Sequence, residues 1–152
     1  MIAKAATISH GGNAVRYSVN KDKAEIVKVN FLPDDISAEA MFQRMVLKQK
    51  EFSSIINKGR PLKRNVIRME ISPTKEESAG WTLADWVRLA NEYIRVFDSI
   101  DLSKKAKRAS AKFTNVKNSQ YVVALHHDAK SGIPHLHIDV NRVDMDLSLI
   151  HI

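Results

Sequence analysis

The chain has 152 residues, 44% hydrophobic and 27% charged, which suits one globular domain and excludes both a disordered tail and two large domains. No apolar run approaches the ~20 residues that span a bilayer, and the absence of cysteine excludes disulfides, thiolate metal sites and cysteine nucleophiles. Lys and Arg number 24 against 17 Asp and Glu, a net charge of +7, and a field of that sign favours a polyanion such as nucleic acid.

Ile2–Ser9 mixes β-branched and small residues and reads as a first strand, closed by a turn at Gly11-Gly12-Asn13. Ala14–Lys23 reads as a short helix carrying Tyr17. Ile26–Pro33 is extended or loop. Ser37 is an N-cap for a helix in which Met41, Met45, Phe52 and Ile55 recur at roughly helical spacing up to Lys58-Gly59. Arg64–Ser72 alternates, with Ile67, Met69 and Ile71 on one face and Arg68 and Glu70 on the other, as a half-buried strand closed by Pro73.

Thr82 caps a second long helix, with Asp85 at the capping-box position and Trp86, Leu89, Ala90, Tyr93, Ile94 and Phe97 on its apolar face. A basic stretch, with Lys104, Lys105, Lys107, Arg108 and Lys112, leads to a strand at Gln120–His126. A turn-rich loop, Asp128–Pro134, joins it to a strand at His135–Val143, its expected antiparallel partner. The order strand, helix, helix, strand, helix, strand, strand predicts an α+β fold. A largely antiparallel central sheet would carry helices on one face and leave the other free for a site.

Four of the six histidines fall within twelve residues: His126, His127, His135 and His137. Side chains two apart on a strand point the same way. His135 and His137 therefore share a face with Asp139 and Asn141, while Leu136, Ile138 and Val140 turn into the core. Two adjacent imidazoles are ready ligands for a divalent ion. Parity favours His126 as the third ligand, because Tyr121, Val123 and Leu125 form the more apolar face; His127 is the alternative. Three neutral imidazoles suit Mn, Co, Ni or Zn better than Mg.

His126-His127-Asp128, followed by His135-Leu136-His137-Ile138-Asp139-Val140-Asn141-Arg142-Val143, resembles the metal-binding motif of plasmid and transposon relaxases. These are mobilisation proteins of the HUH endonuclease superfamily. Ile8-Ser9-His10-Gly11-Gly12-Asn13-Ala14-Val15-Arg16-Tyr17, with Lys21-Asp22-Lys23-Ala24-Glu25, is similar to their tyrosine motif. The variant looks closest to mobilisation proteins of Bacteroides-type elements, and the resemblance runs from about Ile2 to Asp144. It implies a relaxase-like fold and a metal-dependent strand transfer. Tyr17 would attack one phosphate in an origin of transfer, giving a 5′-phosphotyrosyl link and a free 3′-hydroxyl.

A phenol is a weak nucleophile until it is deprotonated or metal-assisted. A cation on the phosphate oxygens would neutralise developing charge. The resemblance implies a divalent ion, Mn or Mg first, with Zn, Co or Ni as further options. It also implies an acidic residue that fixes the tautomer of a ligating histidine; Glu70 takes that role, with Asp128 as the alternative. Tyr93 and Tyr121 lie on core-type faces and read as structural.

Arg16, Lys21, Lys23, Asn141 and Arg142 lie close to the two motifs and are expected to contact DNA; the Lys104–Lys112 cluster is a second candidate whose plainer reading is a solvated loop. The expected partners are single-stranded origin-of-transfer DNA, with accessory mobilisation and coupling proteins. No membrane insertion is expected, and the location is cytoplasmic. Residues 1–144 read as the catalytic domain and 145–152 as a tail, truncated or non-native, since Met145-Asp146-Leu147-Ser148 departs from the family's usual continuation. Two alternatives stand beside this reading. One is a replication-initiator or transposase nuclease of the same superfamily, many of which place the tyrosine after the histidines. The other is a non-catalytic DNA-binding module whose histidines hold a structural metal.

Overall fold

The alternation of Arg64–Ser72 becomes strand β3, and it sits inside a sheet that the computed structural model describes through residues 1–104 and 112–152. In chain order the elements are β1 (Ile2–Ile8), α1 (Gly11–Asn20), β2 (Glu25–Asn30), α2 (Ala38–Ile55), β3 (Val66–Ser72), α3 (Leu83–Ser99), β4 (Tyr121–His126) and β5 (His135–Asn141). Short 3-10 turns occupy Leu102–Lys104 and Val116–Asn118. The strands lie in the order β1-β3-β5-β4-β2, and every neighbouring pair is antiparallel. The expected α+β class with an antiparallel sheet is what is seen. Lys105, Lys107 and Arg108 of the basic cluster lie outside the described residues.

Period-two side-chain geometry gives this sheet two distinct faces. On one, Ile67, Met69, Ile71, Val123, Leu125 and Ile138 pack against Trp86, Ala90 and Ile94 of α3. On the other, Val66 and Val122 pack with Val15 of α1 and Ala38, Met41 and Met45 of α2. The expectation that all helices share one face is therefore corrected: α3 covers one side, and α1 with α2 cover part of the other. A sheet buried on both faces makes its inner strands apolar at both parities. β4 shows this, with all of Tyr121–His126 buried. The polar end of the second face, beside α1, is where the histidines emerge.

One local reading left open is resolved and two change. Ile26–Pro33 contains a true strand, the edge strand β2, paired with β4 through a register shift between Ile26 and Lys28. That bulge breaks the alternation by which a strand is recognised. Gly11 and Gly12 do not form a turn but open α1. A Cβ on Gly11 would lie 2.5 Å from Val66 Cγ2 and 2.7 Å from Asn65 Oδ1, so glycine is required by close packing of the helix start on β3. Helix α2 stops at Ile55, short of Lys58-Gly59.

The predicted caps are present. Ser37 Oγ accepts from the Ala40 N–H at 3.1 Å. The Thr82 N–H donates to Asp85 Oδ2 at 2.8 Å, giving α3 its fixed start. Residues 145–152, expected to be a tail, fold back onto the sheet. The Ile150 N–H donates to the Arg142 carbonyl at 2.8 Å, and Ile150, 3% exposed, joins the α3-side core.

Candidate active site

Antiparallel pairing of β4 with β5 sets His126 directly across from His135, and Ala124 across from His137. The small side chain at Ala124 leaves the space above it to the imidazoles. Ring centroids lie 4.3 Å apart for His126 and His137, 5.0 Å for His135 and His137, and 5.5 Å for His126 and His135. Each ring offers a nitrogen, and these three atoms lie within 4.8 Å of one another. His127 points the other way, exposed, with Nε2 2.9 Å from Glu25 Oε2. Of the two histidines left open by the sequence, His126 is the one brought to His135 and His137.

The hydrogen bonds show which nitrogens are free. His126 Nε2 lies 2.8 Å from the Ser18 carbonyl, so it donates there and leaves the lone pair on Nδ1. His135 Nδ1 faces the Ile133 carbonyl at 3.3 Å, leaving Nε2. His126 Nδ1 and His137 Nε2 are buried and have no hydrogen-bond partner among the described residues. Buried nitrogens without partners are costly unless something satisfies them, and a divalent cation does. Burial lowers the pKa of His126 from its ordinary value. Burial, then the neighbouring His126 and Arg68, push His137 down to about 3. Both rings are thus neutral at pH 7, the form that ligates metal. Three imidazoles leave coordination positions open, as a catalytic rather than a structural site requires.

Tyr17 projects from α1 onto the same cluster. Its ring centroid is 5.5 Å from that of His126 and 5.6 Å from that of His137, and the residue remains 41% exposed. The Arg68 guanidinium carbon lies 5.0 Å from the ring centroid and Lys21 Nζ 5.1 Å. A cleft of about 420 Å³, lined by Ile8, His10, Asn13, Ala14, Tyr17 and Arg68, opens beside the phenol. Tyr17 therefore borders this cleft together with Arg68, while its ring lies within 5.6 Å of two of the clustered imidazoles.

Glu70 lies on β3 opposite His137, with Oε1 3.7 Å from His137 Nδ1 and Oε2 2.9 Å from Lys4 Nζ. Burial pushes its carboxyl up, but the Lys4 hydrogen bond and the charges of Lys4 and Arg68 outweigh this and hold it low. Asp128, the alternative acid, has Oδ1 4.0 Å from His126 Nδ1 and is paired with Lys21 at 3.1 Å. The hydrogen bond from Lys21 comes first among the causes that hold the Asp128 carboxyl low.

The predicted DNA contacts divide. Lys21 reaches the Tyr17 ring. Arg16 is exposed and hydrogen-bonds Asn13; Lys23 is exposed on a left-handed backbone with φ 58°. Asn141 is fully buried. Its amide donates to Met45 O and Gln120 Oε1, and its oxygen accepts from Gln49 Nε2, so nothing of it is left for a phosphate. Arg142 donates to the carbonyls of Ile150 and Arg64 and ties the C-terminal segment to the sheet. Burial makes Asn141 a structural residue rather than a DNA contact; Arg142 is half-buried and has this structural tie whether or not it also meets DNA. Three residues with no assigned role belong to the site: Ser18, Arg68 and Asp139. Arg68 and Asp139 were visible in strand parity. Ser18 acts through its backbone carbonyl, which no side-chain pattern advertises.

Asp139 is fully buried across from Arg68, and among the described residues neither carboxylate oxygen has a hydrogen-bond partner within bonding geometry. Burial pushes its carboxyl up to about 6.

Comparison with curated proteins finds no match. The family model of the relaxase, MobA/VirD2-like, nuclease domain matches residues 17–152, which takes in Tyr17, all three clustered histidines and most of the chain. The chain belongs to the MobA/VirD2-like relaxase nuclease-domain family.

Proposed function

We propose that this domain nicks one strand of origin-of-transfer DNA by transesterification, with Tyr17 as nucleophile, in the mobilisation of a plasmid or transposon. The observation that carries the reading is the approach of the Tyr17 ring to within 5.5 and 5.6 Å of two of the three clustered imidazoles. A phosphodiester lying in the adjoining cleft would meet the phenol on one side and the metal site on the other.

His126, His135 and His137 would hold a divalent cation, Mn or Mg first. The ion's contribution when bound is to withdraw charge from the phosphate oxygens and orient the phosphorus. The chain supplies the rest. Tyr17 Oη forms a bond to phosphorus as the bond from phosphorus to the 3′ oxygen breaks. The phenolic proton is lost and the leaving 3′ oxygen gains one, leaving a 5′-phosphotyrosyl link and a 3′-hydroxyl. One phosphodiester replaces another, so the reverse reaction rejoins the strand. Glu70 would accept from His137 Nδ1–H and keep Nε2 toward the ion. Arg16, Lys21 and Lys23 would contact phosphates along the strand. Among the described residues no helix is long and apolar enough to cross a membrane. Accessory mobilisation and coupling proteins would complete the machinery in the cytoplasm.

The test is incubation with single-stranded origin DNA and Mn or Mg, read as a covalent adduct on a denaturing gel. Tyr17→Phe should abolish the adduct while binding persists. An adduct that survives Tyr17→Phe moves the nucleophile elsewhere.

A further inference from the structure

Arg68 stands where the two halves of the site meet. It pairs across the sheet with Asp139 on one side and with Ala6 of the edge strand β1 on the other. Ala6 is too small to cover the guanidinium, and the Arg68 side chain stays 29% exposed. It lines the cleft beside Tyr17 and also the adjoining pocket formed with Lys4, Ala6, Ile8 and Glu70. Ile8 and Arg68 are common to both, so the Arg68 side chain faces both spaces.

Two groups compete for one nitrogen here. Arg68 Nη2 lies 3.3 Å from His137 Nδ1, and Glu70 Oε1 lies 3.7 Å from the same atom. A guanidinium has only donors and a carboxylate only acceptors. Arg68 can therefore bond Nδ1 only when Nδ1 carries the lone pair, which puts the ring hydrogen on Nε2. Nε2 can ligate a metal only after the hydrogen has moved to Nδ1. Donor then faces donor at Arg68, and Glu70 is the acceptor at hand. The ring's net charge does not change in this exchange.

We propose that Arg68 is the phosphate-binding residue of the Tyr17 cleft, held on His137 in the metal-free protein and released to the DNA when His137 adopts its metal-ligating tautomer. Metal and single-stranded DNA thus bind cooperatively, in part through one arginine. The inference rests on the reading of the cleft as the DNA site. It adds a coupling between two ligands that neither the histidine cluster nor Tyr17 requires by itself.

The experiment uses the full chain carrying Tyr17→Phe, which cannot form the adduct. Affinity for a fluorescent single-stranded oligonucleotide of mixed sequence is measured with chelator and with Mn, for Arg68 and for Arg68→Met. With Mn, Arg68→Met should weaken binding about tenfold and flatten the salt dependence by about one phosphate contact. With chelator it should change affinity less than about twofold, because Arg68 is already engaged. Mn affinity without DNA should stay within about threefold, since Arg68 is not a ligand. Arg68→Gln repeats the series if the Met variant melts early. In parallel, ¹⁵N spectra of the metal-free protein should show His137 hydrogenated at Nε2 in the parent and at Nδ1 in Arg68→Met.

Equal weakening with and without Mn overturns the proposal, as does no weakening in either. A large loss of Mn affinity in the absence of DNA overturns it too, and makes Arg68 a structural support of His137. Failure of the nicking reading shows separately, as a protein with Tyr17 intact that forms no adduct with origin DNA.

Discussion

The Nε2 of His126 lies 2.8 Å from the carbonyl oxygen of Ser18, the residue that follows Tyr17. One hydrogen bond thus fixes the tautomer of a candidate ligand and pins the turn of α1 that carries the candidate nucleophile. Rigid placement of both reactants on regular elements is what a strand-transfer site needs.

His126 and His135 should therefore differ when removed, although both belong to the cluster. Either alanine variant should lower Mn affinity by about tenfold or more in calorimetry. Only His126→Ala leaves a buried carbonyl unpaired, a loss of about 1–3 kcal/mol. It should speed amide hydrogen exchange in α1 around Tyr17, while His135→Ala leaves that exchange unchanged. Identical exchange in the two variants would contradict the role given to Ser18.

Gly11 is a further control on where Tyr17 sits. A methyl group there meets Val66 Cγ2 and Asn65 Oδ1 inside van der Waals contact, and a core β-branched side chain cannot step aside. Gly11→Ala should destabilise the fold by about 1–3 kcal/mol, measured by urea unfolding. It should also slow adduct formation at temperatures where the protein remains folded, because the start of α1 must lift from β3.

Asn141 provides the contrast between burial and binding. Its amide joins α2, β5 and Gln120 in a closed network. Asn141→Ala should cost about 2–4 kcal/mol by leaving several polar groups unpaired. The slope of DNA affinity against salt should not move, whereas Lys21→Ala should reduce it by about one phosphate contact.

Asp139 makes the metal-free protein's stability depend on pH in a stated direction. Burial raises its carboxyl from 3.8 to about 6, so the folded state binds more protons than the unfolded state between those values. Its favourable contribution is complete below pH 4 and is lost as pH rises through 6. His137, depressed to about 3, works the other way and loses stability as pH falls below 6.5. Comparing the parent with Asp139→Asn cancels the histidine. The variant should gain stability relative to the parent between pH 4 and 7, by about 2 kcal/mol. A difference that is flat across this range would mean Asp139 titrates normally.

Much of the site was legible because its signals are local. His135 and His137 share a face by strand geometry alone, and β4 parity favoured His126 over His127 before their opposite orientations were seen. The capping residues Ser37 and Thr82 announced two helices. β2 was legible only as extended or loop, because its bulge interrupts the alternation that marks a strand. Asn141 misled because proximity in sequence to a motif says nothing about which side chains the packing will consume.

What the chain by itself determined was its inventory: a basic domain without cysteine, a tyrosine near the N-terminus, a histidine pair at strand spacing with two more close before it, and the periodicities that make strands and helices. Only the tertiary structure decided that α3 lies on one face and α1 with α2 on the other, and that Tyr17 lines a cleft with Arg68 while its ring comes within 5.5 and 5.6 Å of His126 and His137. The physical reason is range. Periodicity and capping act over a few residues and are written in neighbouring letters. The meeting of α1 with β3, β4 and β5 depends on which apolar faces find one another across many tens of residues, and on a glycine small enough to let them close.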